Sequence, residues 1–312
     1  MGMPLIKINT RAAKIALDGA CLLRAQAALE PGEPIVILIH GYKFSPFQRR
    51  AKNSPHDHIL SLTPSEKGRR AISWPRHLGF GRGGENEGLC IAFGWHAQGA
   101  LWQARREAAQ AGRALARLVD RLGARNPVHI VAHSLGARVA LAALPALNSG
   151  RIARIILMAP AAFQSEAHTA LGAPAARRVE ILNVASREND LFDAAFEALI
   201  KTPDRKDRAL GSGLGYKDQR WLDIQIDNPQ TLDRLATMGF RIAPPGKRIC
   251  HWSSYLRPGL FAFYAAFLRR PERLPLATLA LHLPRYHAAR WSRLMALPRL
   301  RLSLLFAKKQ SF

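Results

Sequence analysis

A serine at position 134 sits where a short apolar run stops, in His129-Ile130-Val131-Ala132-His133-Ser134-Leu135-Gly136. The residues two before and two after it, Ala132 and Gly136, are small, and an Ala/Leu-rich helical pattern follows. A strand that turns abruptly into a helix exposes the residue at the tip, and small flanking residues let strand and helix cross. A hydroxyl held there is a candidate nucleophile. At neutral pH it needs a base, a group to orient that base, and N–H donors for an oxyanion. The N–H of Leu135, where the helix opens, is one expected donor. The second is expected from His40-Gly41-Tyr42, which follows an apolar, β-branched run at residues 34–39. Gly41 permits close backbone approach, and the N–H of Tyr42 is the donor chosen. The His40 imidazole is expected to brace this loop rather than carry a proton.

These two motifs, strand-His-Gly and strand-Ala-His-Ser-Leu-Gly-helix, resemble the α/β-hydrolase superfamily. Within it they are similar to bacterial esterase- and lipase-like members with a single glycine in the oxyanion loop. The resemblance covers roughly residues 34–268. It implies an α/β fold: a mostly parallel central sheet with helices on both faces and a nucleophile elbow. It also implies the chain order nucleophile, acid, histidine. After a fifth strand the chain reads Ser186-Arg187-Glu188-Asn189-Asp190-Leu191-Phe192-Asp193. Asp190 lies at the distance the family uses and is the acid chosen, with Glu188 and Asp193 as alternatives. His251 follows a Pro/Gly loop and precedes a final helix, as in the family, whereas His282 and His287 fall in a Pro-broken stretch. Ala132 stands where glycine is common in such elbows. Ala161 stands where some relatives carry an acid, which favours Asp190.

The resemblance implies cleavage of carboxylic esters or thioesters through an acyl-enzyme on Ser134, with no cofactor. Tyr42, Phe44 and Phe47, beside His40 and His133, are expected to line an apolar acyl pocket. Two alternatives remain. One is a non-catalytic protein of this fold bound to an anionic surface, membrane or nucleic acid. The other is an acyltransferase with the same three groups.

Buried apolar strands alternate with amphipathic helices, which calls for a parallel sheet covered on both faces. Strands are expected at residues 34–39, 89–95, 128–133, 154–158, 179–184 and 221–226, and helices at 100–122, 135–147, 192–201, 232–238 and 256–268. Insertions at about 43–88 and 202–220 interrupt the alternation and are expected to cover the site. The hydrolase domain is expected over 1–270. The segment 271–312 reads as a basic tail broken by Pro271, Pro275, Pro284 and Pro298.

The chain has 312 residues, 48% hydrophobic and 22% charged, a globular composition. Its net charge of +24 favours anionic partners in general. Arginine is spread through almost every segment, however, so no specific nucleic-acid site is expected. Weak association of the tail with an anionic membrane surface is the one partner reading retained beside a small acyl ester. Cys21, Cys90 and Cys250 form no CxxC pair, so reduced thiols and a cytoplasmic location are expected. His56-Asp57-His58 lacks further ligands at a recognised spacing, so no metal site is expected. Residues 79–84 are Gly-rich but open no helix, so no phosphate cradle is expected there.

Overall fold

The computed structural model describes residues 4–16, 19–47, 53–65, 71–84, 86–202, 204–284 and 288–295. Among them an eight-stranded sheet runs in the order β2-β1-β4-β3-β5-β6-β7-β8. The strands are β1 (Leu5–Arg11), β2 (Lys14–Ala16), β3 (Ile35–Ile39), β4 (Leu89–Trp95), β5 (Val128–His133), β6 (Ile152–Met158), β7 (Glu180–Ala185) and β8 (Trp221–Gln225). Only the β1–β2 pair is antiparallel. β3 lies between β4 and β5, so the loops leaving β3 and β5 meet at the sheet's switch point, where open α/β sheets form clefts.

The central strands are buried along their whole length, as in Ile-Val-Ile-Leu-Ile of β3, because helices cover both faces. One face packs against α1 (Gly19–Ala27), α3 (Leu101–Arg121), α4 (Gly136–Ala143) and α5 (Gln164–Gly172). The other packs against α2 (Trp74–His77), α7 (Pro229–Thr237), α8 (Ser253–Leu256), α9 (Leu260–Arg269) and α10 (Leu276–His282). α6 (Asp190–Leu199) and α11 (Ser292–Met295) lie near the end of β7. The apolar side of α3, including Ala104, Ala108, Leu115 and Leu118, is buried. α3 and α4 cross closely at Gly112, where a Cβ would stand 2.7 Å from that of Ala142.

Several expectations change in detail. The helix expected at 256–268 is two helices, α8 and α9, because Pro258 and Gly259, the latter at φ +91°, interrupt it. β1, α1 and α5 were not expected. The expected boundary at 270 is not a break in packing: Leu274, Leu276, Leu279 and Leu283 are buried in the same cluster as α9. Pro275 caps α10 rather than breaking it, since a proline just before or at the first turn costs no hydrogen bond. Residues 285–287 and 296–312 of the expected tail lie outside the described residues.

The described parts of the first insertion pack on the domain. Its Ile59, Leu60, Trp74, Leu78 and Phe80 join the second cluster. The later one turns at residues 210–212 against β7, where the Asn183 amide donates to the Leu210 carbonyl at 2.8 Å. None of the helices among the described residues is long and apolar enough to cross a membrane.

Candidate active site

Ser134 occupies the turn between β5 and α4 at φ +54°, a left-handed conformation that non-glycine residues seldom adopt. Its N–H donates to the Met158 carbonyl at 3.0 Å, and its own carbonyl accepts from Ala137 and Ala161, each at 3.0 Å. These bonds hold the strained turn. Two glycines make it possible. A Cβ on Gly136 would stand 2.5 Å from the His40 carbonyl oxygen, and one on Gly41 would stand 2.8 Å from the Ser134 Cβ. The loop after β3 therefore lies against Ser134. Tyr42 and Leu135, the expected oxyanion donors, border the same cavity as Ser134.

His251 Nε2 lies 2.8 Å from Ser134 Oγ, although 117 residues separate them. The loop that carries it is fastened from both sides. The Cys250 N–H donates to the Glu188 carbonyl at 2.8 Å, and His133 Nε2 lies 3.1 Å from the His251 carbonyl oxygen. Phe192 stacks on the His251 ring with centroids 4.8 Å apart. Desolvation, with the His133 ring a second cause, holds the His251 pKa well below its ordinary value, so the imidazole is neutral at neutral pH and free to accept a proton.

The third group is not the expected one. Asn189 Oδ1 lies 2.6 Å from His251 Nδ1, at the end of a 3-10 turn over Arg187–Asn189 that leads into α6. Asp190 faces away. Its two oxygens accept from Arg187 Nη1 at 3.0 Å and from the Trp291 backbone N–H at 2.6 Å. The physical reason is that the turn directs consecutive side chains to different sides, and Arg187 captures the carboxylate at position 190. Glu188 is also turned away, in a buried ion pair with Arg257. Asp193 reaches the amide of Asn189, not the imidazole. Sequence reasoning missed Asn189 because only carboxylates were considered. The available signal was that Asn189 and Asp193 are spaced i,i+4, which brings two side chains together at a helix start.

His40 is fully buried, stacked on Trp95 with centroids 5.5 Å apart. Its Nε2 accepts the Trp95 N–H at 3.1 Å, which leaves Nδ1–H to donate to the Gly41 carbonyl at 2.9 Å. Burial lowers its pKa to about 3. These bonds tie the loop after β3 to β4, and His40, expected beside the pocket, does not border the cavity. Tyr42, Phe44 and His133 do border the cavity. Phe47 does not: it is 46% exposed and packs under Arg11. The cavity, about 580 Å³, is completed by Ile59, Leu101, Phe192, Phe196 and Trp252, with Trp102 and Leu199 at its exposed rim. It is an apolar slot that reaches the serine.

Among the described residues no group of three or more His, Cys, Asp or Glu side chains is arranged to hold a metal ion. His56 Nε2 instead lies 2.6 Å from Asn9 Oδ1. No curated protein sequence matches the chain. A family model described as "Alpha/beta hydrolase family" matches residues 36–307, which includes the loop after β3, the elbow, the turn at Asn189 and the loop at His251. With that match and the strand order described above, the chain belongs to the alpha/beta hydrolase family.

Proposed function

We propose that the protein is a serine hydrolase that cleaves carboxylic esters or thioesters with an apolar acyl group. The single observation that carries this reading is the 2.8 Å approach of His251 Nε2 to Ser134 Oγ at a strained elbow. The third member of the set is Asn189 in place of the expected Asp190.

In the first half-reaction His251 Nε2 takes the Ser134 proton as Oγ bonds to the acyl carbon. The carbonyl oxygen becomes an oxyanion received by the N–H groups of Leu135 and Tyr42. His251 then returns the proton to the departing alkoxide or thiolate, leaving an ester on Ser134. Water repeats the sequence, giving its proton to Nε2, and the acid leaves as Oγ recovers its proton. The apolar lining of the cavity supports an aliphatic or aromatic acyl group.

Labelling with a fluorophosphonate followed by peptide mapping tests this reading. Attachment at Ser134, together with turnover of p-nitrophenyl acyl esters, is the expected result. No labelling, or attachment elsewhere, overturns it. An unlabelled protein that bound anionic vesicles would favour a non-catalytic surface-binding role instead.

A further inference from the structure

Contacts behind the imidazole continue past Asn189. Its Nδ2 donates to Asp193 Oδ1 at 2.9 Å, one turn along α6. Asp193 is 5% exposed and is walled in by Gly211, where any Cβ would overlap Oδ2. An asparagine amide has two ends of nearly the same shape, one an acceptor and the other a donor. An ionised carboxylate only accepts, so it can face only the NH2 end. The oxygen end is then turned toward His251, where it accepts Nδ1–H at 2.6 Å. This tautomer leaves Nε2 bare, 2.8 Å from the Ser134 hydroxyl. A flipped amide would present NH2 to Nδ1. It would favour the tautomer with its proton on Nε2, which cannot accept the serine proton.

We propose that Asp193 is a positioning residue of this site: its carboxylate orients the Asn189 amide and so selects the His251 tautomer able to act as base. The inference rests on the Ser134–His251 reading above. No proton passes through the amide. Asp193 acts through orientation, and through its field on the imidazolium that forms during acylation. The charged groups around it are Asp190 on α6, Arg187 on the preceding turn and Arg290 in the segment before α11. The 210–212 turn adds only Gly211 against the carboxylate. Burial raises the Asp193 pKa to about 7, against the pull of Arg290. A protonated Asp193 can donate to the amide oxygen, so the orientation is locked above that pH and released below it.

The test measures the rate constant for fluorophosphonate labelling of Ser134 against pH. It compares the wild type with Asp193→Asn, Asn189→Asp and the double variant Asn189→Asp/Asp193→Asn. Asp193→Asn should label about 10- to 100-fold more slowly at alkaline pH and lose the inflection near 7. The double variant puts a carboxylate directly on Nδ1 and should recover most of the rate. Asn189→Asp alone sets two carboxylates together and should label more slowly than the double variant. Equal rates and profiles for Asp193→Asn and wild type overturn the proposal, and so does a double variant as slow as Asp193→Asn. Should Asp193→Asn not fold, the ¹⁵N shifts of the His251 ring in the wild type decide. Proton occupancy on Nδ1 should fall as pH drops through about 7, and a tautomer unchanged across that range overturns the idea. A wild type that is never labelled defeats the proposed function, whereas a labelled wild type matched by Asp193→Asn defeats only the role of Asp193.

Discussion

Asn189 and Asp190 are neighbours in sequence and point to opposite tasks: the amide accepts from the base at 2.6 Å, while the carboxylate accepts the Trp291 N–H at 2.6 Å and never meets the base. A search by residue type for a carboxylate beside His251 selects Asp190, but the turn places Asn189 there.

Asp190→Asn should therefore act on stability more than on chemistry. It leaves Arg187, 3% exposed, without its ion-pair partner. Removing one member of a buried pair costs about 3 kcal/mol. We expect a loss of that order in urea unfolding, while ester turnover per folded molecule drops less than about 10-fold. Asn189→Leu, which cannot accept from Nδ1, should lose more than about 100-fold in kcat. The opposite ranking in steady-state assays would return the role to Asp190.

Ser134 separates activity from stability in a different way. Ser134→Ala should lower kcat by roughly 10⁴- to 10⁶-fold at nearly unchanged stability, because alanine keeps the strain at φ +54°. Ser134→Gly should be equally inactive but more stable by about 1 kcal/mol, since glycine adopts that conformation without penalty. Calorimetry of the two variants gives the comparison.

Gly41→Ala forces a methyl to within 2.8 Å of the Ser134 Cβ and 3.0 Å of the His133 carbonyl oxygen. The loop must retreat from the nucleophile and take the Tyr42 N–H with it. A fall in kcat of about 100-fold with a smaller change in KM is expected, as for the loss of one oxyanion donor. A wild-type kcat in this variant would remove the loop from the proposed chemistry.

Asp193 should make the protein less stable as pH rises. Its pKa is about 3.8 unfolded and about 7 folded, so the native state binds the extra proton between those values. The contribution is fully present below the lower value and is lost as pH climbs through the upper one. Asp193→Asn cannot lose it. Relative to the wild type the variant should gain on the order of 2–4 kcal/mol from acid to mildly alkaline pH. Urea titrations at several pH values test the sign, and a constant difference would contradict it.

Much of the site was readable because its constraints are steric and local. Gly136 follows the elbow because any side chain there would strike Ile39 and His40 at the end of β3, and Gly41 is fixed by contact with Ser134. His251 was readable from its place between a Pro/Gly loop and a helix. Asn189 was not, because its role depends on a turn that rotates neighbouring side chains apart and on a partner one helical turn later. The same holds for the fold. β3 and β4 carry continuous apolar runs and β5 to β7 are buried along nearly their whole length, whereas β1, Leu-Ile-Lys-Ile-Asn-Thr-Arg, alternates buried and open positions and is a weaker signal. α10 looked like part of a broken tail because proline was read as a helix breaker, when here it starts the helix.

The Trp291 contact with Asp190 spans 101 residues, and Arg290 reaches Glu197 from the same segment at 3.0 Å. Elbow, imidazole loop and slot are all encoded before it. A chain cut before residue 288 would keep all of those parts but leave the Asp190 carboxylate with Arg187 and without its backbone donor.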